Sequence, residues 1–212
     1  MATIENWLEL LKLRNDALDG INYNSQQEKY VLILASRITE LCLDAVILLS
    51  KSRVSSVPIV LRTALESYAD LCGCVKDSSY PEKMTKSMFW QLHELCKGID
   101  AEKADYYKSI GKYHPVNKRF SQAGLSSIFN GYYKALSFHS HGNLSALMDM
   151  HSEEHAAVLG TTSNDDMITE YFNHAVNLFA LVLKDTFNHF DLEPVGVEKV
   201  QSILNEINGQ LE

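Results

Sequence analysis

The sequence predicts an all-α protein, a single helical-bundle domain of about seven to nine helices. Three observations predict it. Apolar residues recur at helical spacing along most of the chain, only 4 prolines and 10 glycines interrupt 212 residues, and those interruptions fall between helical patterns and not at strand turns. With 46% hydrophobic residues the chain can build one sizeable core. No repeat, low-complexity tract or linker divides it. The expected organisation is one domain over 1–212, with 25–148 as a motif-bearing core and 149–212 as acidic C-terminal helices.

Each element has its own reason. Residues 6–19 form a first helix closed by Gly20. Ser25-Gln-Gln-Glu28 has capping-box spacing, in which the Ser hydroxyl accepts from the third amide, so a long helix runs from there to about residue 50. Pro58 suits the first turn of a third helix to about residue 77, where its missing N–H is not needed. Pro81 opens a fourth, to about residue 97, by the same logic, and Asp100 caps a fifth, to about residue 112. Residues 113–124 contain Pro115 and show no clear period, which reads as a loop. Residues 126–141 are helical again and stop at Gly142. The stretch 143–158 is the weakest helical pattern. Asn164 caps a strong helix through His189, and 196–208 form a short acidic terminal helix.

Charge narrows the function classes. The net charge is −8, which disfavours wholesale coating of nucleic acid or an anionic membrane. It is unevenly spread: residues 149–212 carry 12 acidic and 2 basic side chains, leaving a net of +2 on 1–148. An anionic ligand would meet the first two thirds. The N-terminus mixes acids and bases without a basic start and apolar run, so no secretion signal is read. The most lipid-like stretch, 31–50, contains Arg37, Glu40 and Asp44, too costly for a membrane span. The four cysteines (Cys42, Cys72, Cys74, Cys96) lie in apolar helical patterns and read as reduced thiols. A cytoplasmic protein without cofactor or metal is expected.

Four constellations could carry chemistry. Arg62, Glu66 and Asp70 are spaced four apart, so they share one face of the third helix. They form either a solvated edge continued by Gly73 and Asp77, or a guanidinium held by Glu66 and aimed at a phosphate. Arg37, Glu40 and Asp44 make a similar stripe on helix two, and both arginines could face one groove. The second constellation is Asn130, Lys134, Ser137 and His141, which align along one helix while His139 takes the opposite side with Ile128, Tyr132 and Ala135. His141 suits proton transfer near neutral pH, and Ser137 one turn earlier could orient its ring. Third, Lys103, Lys108, Lys112, Lys118 and Arg119 face one acid, Asp105, and interleave with Tyr106, Tyr107, Tyr113 and Phe120. Lys108, Lys112, Lys118, Arg119 and Tyr113 are the candidate contacts to single-stranded RNA; the alternative is an ordinary solvated helix and loop. Fourth, His151-Ser-Glu-Glu154-His155 has the His-x-x-Glu-His order of one zinc peptidase class, with Asp149 and His174 as weaker extra ligands. The third ligand is not identifiable, and such pairs arise by chance in polar stretches. No glycine-rich phosphate loop, nucleophile elbow, kinase motif or paired-cysteine zinc signature occurs.

The run Pro58-Ile-Val-Leu-Arg62-Thr-Ala-Leu-Glu66-Ser-Tyr-Ala-Asp70-Leu, followed by Tyr133-Lys-Ala-Leu136-Ser137-Phe-His-Ser-His141, resembles a widespread bacterial family of unknown function. Its members carry an Arg-x-x-x-Glu helix and a downstream Leu-Ser-x-x-x-His helix, and the resemblance spans 27–148. The family is similar in architecture to the HEPN superfamily, dimeric helical bundles that include RNA-cleaving toxins and antiviral effectors. The resemblance implies roles for Arg62, Glu66, Ser137 and His141, a homodimer, and RNA as ligand; a protein encoded by a neighbouring gene is a further candidate partner. HEPN nucleases place an Arg shortly before the His on one helix. Here the corresponding positions are Lys134, Ala135 and Leu136, so Lys134 is the local cation and Arg62 would have to come from the neighbouring helix. On this reading His141 moves protons, Ser137 orients it, Arg62 clamps phosphate, Glu66 holds Arg62 and Lys134 adds charge. The alternative is a non-enzymatic interaction or regulatory module in which the same residues are a buried structural network.

Overall fold

The structure is a computed structural model and describes residues 1–18, 20–140, 148, 151–153, 156–157, 165–192 and 194–209. Its centre is a hairpin of two long helices, α2 (Gln26–Ser50) and α3 (Val57–Lys76). The Ser25 hydroxyl accepts from the Glu28 amide at 3.1 Å, and the Glu28 carboxylate reaches back to the Asn24 amide at 2.6 Å, completing the predicted capping interaction one residue early. Pro58 sits in the first turn of α3 as expected.

Helix α1 (Ile4–Leu18) lies under the bundle, where Trp7 packs on Phe179 at 5.2 Å between ring centroids. An outer hairpin follows α3, made of α4 (Tyr80–Cys96), with Pro81 in its first turn, and α5 (Ala101–Ile110), capped by Asp100 through the Lys103 amide at 3.0 Å. Residues 113–124, expected to be a loop, contain α6 (Val116–Ala123). Pro115 stands at its N-cap, Gly124 ends it in the left-handed conformation at φ 77°, and Phe120 and Ala123 are buried beneath it. The Lys76 ammonium donates to the Ala123 carbonyl, satisfying one acceptor at that helix end.

The chain then runs through α7 (Ser126–Ile128), a π-helical turn (Phe129–Tyr133) and α8 (Lys134–Ser140). Two consecutive tyrosines end this turn and pack against different neighbours. Tyr133 faces α3, and Tyr132 stacks on His174 of α9 (Asp165–His189) at 3.8 Å. Helix α9 lies against α2 and α3, and α10 (Pro194–Gly209) closes the bundle against α9 and α1. Ser152–Glu153 and Ala156–Ala157 form a two-residue antiparallel pairing. The fold is all-α, and its core runs from Leu10 through Ile38 and Leu61 to Phe179 and Phe187. Among the described residues no helix is long and apolar enough to cross a membrane.

Candidate functional site

The acidic and basic stripe of α3 does not face open water. Asp70 is only 9% exposed, and α6 and α8 pack over this face. Burial of charge demands partners, and Arg119 supplies one. Its Nε donates to Asp70 Oδ1 at 2.8 Å, its Nη2 reaches Asp70 Oδ2, and the same nitrogen donates to the Glu66 carbonyl at 3.0 Å. Its Nη1 lies 3.6 Å from the Glu66 carboxylate. Burial alone would lower the guanidinium pKa, but Asp70 and Glu66 outweigh it and hold Arg119 more firmly protonated than usual. Tyr80 completes this end by donating to Asp70 at 3.0 Å.

Arg62 occupies the other end of the stripe. The Tyr133 hydroxyl accepts from Arg62 Nε at 3.2 Å and donates to Glu66 Oε1 at 2.7 Å, so one phenol bridges the base and its acid. Arg62 Nε and Glu66 Oε1 are 3.4 Å apart, each side chain 26% exposed. The Tyr133 ring lies under the guanidinium at 5.5 Å, and burial of Tyr133 raises its pKa. Arg62 Nη1 donates to the Ser140 hydroxyl at 3.2 Å. Arg62 is therefore tied to the end of α8, at the residue immediately before His141 in the chain.

The remaining sequence candidates separate into groups. Ser137 donates back to the Tyr133 carbonyl at 2.8 Å, within its own helix, and Ser140 donates to the Ser137 carbonyl at 3.2 Å. Lys134 lies on the exposed side of α8, bonded to Asn130 at 3.0 Å and over the Phe129 ring at 5.5 Å. His141 lies outside the described residues, as do Asp149, Glu154 and His155. His174 is turned to Tyr132 and Glu170, and among the described residues no three His, Cys, Asp or Glu side chains group as a metal site. Arg37 does not join Arg62: it stays 53% exposed and pairs with Glu40 at 3.7 Å.

Of the basic set, Arg119 turns inward to Asp70, while Lys108, Lys112, Lys118 and Tyr113 are exposed. Lys112, Tyr113 and Lys118 line one cleft. The residues that sequence reasoning missed are Arg119 as the partner of Asp70, Tyr133 as the bridge and Tyr80 as the second donor. The spacing of Pro115, Phe120, Ala123 and Gly124 could have revealed α6, and with it Arg119 on the inner face beside Phe120.

Residues 28–112 match the model of a family described as a family of unknown function (DUF5677). That span holds Arg62, Glu66 and Asp70 and ends before Arg119, Tyr133 and Ser140. No curated protein and no solved structure matches the chain.

Proposed function

We propose that the protein is a HEPN-like helical protein of a bacterial defence or toxin module that acts on RNA, with Arg62 presenting its guanidinium to a backbone phosphate at the His141 end of α8. The observation that carries the reading is the Arg62 to Ser140 hydrogen bond, which brings a cation from α3 to the helix that lacks the usual Arg. His141 removes the proton of a ribose 2′-hydroxyl, whose oxygen bonds to phosphorus as the bond to the 5′-oxygen breaks. The leaving oxygen takes up a proton, and Arg62 stabilises the negative charge of the phosphorane. Glu66 and Tyr133 are positioning residues that hold the guanidinium, Ser137 supports the turn before His141, and Lys134 supplies charge at the rim. The reaction needs no metal, and its products are a 2′,3′-cyclic phosphate and a 5′-hydroxyl. Incubating purified protein with end-labelled RNA in EDTA and mapping the new ends tests this chemistry; 3′-hydroxyl products, or cutting only after divalent metal is added, would contradict it. The superfamily resemblance extends the proposal to a homodimer, and a protein encoded by a neighbouring gene is a further proposed partner.

A second reading is favoured by the Tyr133 hydroxyl, which satisfies Arg62 and Glu66 simultaneously. Such a closed network can set the register of α8 on α3 in a purely interacting module. The two readings part on substitution: a structural network loses melting temperature, a catalytic one loses activity at nearly constant stability.

A further inference from the structure

Beyond Arg119 lies a cleft of about 360 Å³ lined by Lys83, Lys86, Lys112, Tyr113, His114 and Lys118. Three elements build it. The first turns of α4 supply Lys83 and Lys86, and α6 supplies Lys118. Residues 111–115 are pinned between them by the Lys112 amide, which donates to the Lys86 carbonyl at 2.9 Å. Gly111 permits the approach, since a Cβ there would stand 2.6 Å from the Trp90 backbone nitrogen. The segments that carry Lys86 and Lys112 are therefore held together by a backbone contact.

The cleft's chemistry is that of an anion receptor with an aromatic wall. Lys83 is paired with Asp77 at 2.7 Å and Lys86 with Glu82 at 2.6 Å. Lys112 and Lys118 are exposed and have no ion-pair partner among the described residues. Tyr113 is 62% exposed with its ring 6.4 Å from Trp90, which offers a supported face for a base. His114 Nε2 is buried without a hydrogen-bond partner among the described residues. Glu82 also lines the cleft, and with Asp77 it offsets Lys83 and Lys86, so Lys112 and Lys118 leave a local net charge of +2 in a chain of net charge −8, which favours an anionic ligand here.

We propose that this cleft binds a nucleoside phosphate, either free or as a unit of single-stranded RNA, with the phosphate between Lys112 and Lys118 and the base on Tyr113. The volume is on the scale of one nucleotide. The site is distinct from the Arg62 centre. Asp70, His114 and Arg119 line an adjoining hollow of about 200 Å³, and the Arg119 to Glu66 contact lies between that hollow and Arg62. Along α3, Asp70 and Arg62 are about 12 Å apart. The ligand class follows the RNA reading, but binding here does not require cleavage there.

The test is fluorescence anisotropy with a labelled 12-nucleotide single-stranded RNA at low salt, competed with AMP, inorganic phosphate and a duplex of the same length. The variants are K112E/K118E, Y113A and, as a control for net charge, K12E/K51E. The expected result is at least a tenfold loss of affinity for K112E/K118E, a severalfold loss for Y113A, and less than a twofold change for the control. Competition by AMP at concentrations where phosphate and duplex fail assigns the cleft to a free nucleotide; competition only by unlabelled strand assigns it to RNA. K112Q/K118Q replaces the charge reversal if that variant melts early. Equal weakening by K112E/K118E and K12E/K51E, or no binding of either RNA or AMP, overturns the proposal. An R62A protein that binds RNA normally but does not cut it leaves the cleft standing. Binding by wild type with no cleavage removes the catalytic reading and not this one.

Discussion

At the scale of single residues, the Arg119 to Asp70 pair is where chemistry and stability can be told apart. The two side chains are 17% and 12% exposed, so removing one leaves the other charge poorly solvated. Asp70→Ala is expected to cost about 3 kcal/mol, read as a lowered midpoint in urea unfolding. The double variant Asp70→Leu with Arg119→Met should recover much of that loss, and a double variant no better than the single one would show that the pair is not coupled. Tyr133→Phe keeps the ring but deletes the bridge between Arg62 and Glu66. It should cost about 1 to 2 kcal/mol, with a larger proportional loss in RNA turnover than in RNA affinity. The Arg62 and Glu66 spacing was legible because both lie on one helix. Arg119 was not, since its pairing with Asp70 crosses 49 positions and depends on how α6 docks.

At the scale of elements, helix ends were the most readable feature. Ser25, Pro58, Pro81 and Asp100 each stand at the start of the helix they were expected to open, because a cap or a first-turn proline acts locally. Helix α6 escaped because eight residues give little more than two turns of periodicity, and Pro115 reads equally as loop or N-cap. The π-helical turn at Phe129–Tyr133 has no sequence signature, yet it carries both Tyr132, which stacks on His174, and Tyr133, which bridges Arg62 and Glu66. Close packing between elements is concentrated at Gly73, where an added Cβ would stand 2.5 Å from the Tyr80 ring. Tyr80 is 1% exposed and bonds Asp70, so its ring cannot swing into water. Gly73→Ala is therefore expected to destabilise by about 1 to 3 kcal/mol, measured by thermal melting; an unchanged melting temperature would mean that α4 can slide on α3 without cost.

At the scale of the whole molecule, charge is polarised between a basic cleft on α4 and α6 and an acidic C-terminal third that includes α9 and α10. Burial lowers the pKa of both His114 and His174 below the ordinary imidazole value of 6.5, with Asp70 and Glu170 respectively opposing it. A depressed histidine binds fewer protons folded than unfolded between its folded pKa and about 6.5. Stability from these two groups is thus complete above about pH 6.5 and declines as pH falls towards their folded values. Wild type should melt lower at pH 5.5 than at pH 7.5, and the double variant His114→Asn with His174→Asn should flatten that difference; an equal slope in both proteins would assign the effect to other groups.

The account's central claim, that Arg62 and His141 act together on RNA, is tested most directly by cleavage of labelled single-stranded RNA and transfer RNA in EDTA. Wild type is compared with Arg62→Ala and His141→Ala, each checked for folding by its melting curve. The account predicts cutting by wild type, and a loss of at least a hundredfold in both variants while each still melts in one cooperative transition, with Arg62→Ala lowered by no more than the few degrees that loss of its Tyr133, Glu66 and Ser140 contacts implies. Full activity in His141→Ala, or no cutting by wild type, would contradict it and leave the Arg62, Glu66 and Tyr133 network as a structural tie between α3 and α8.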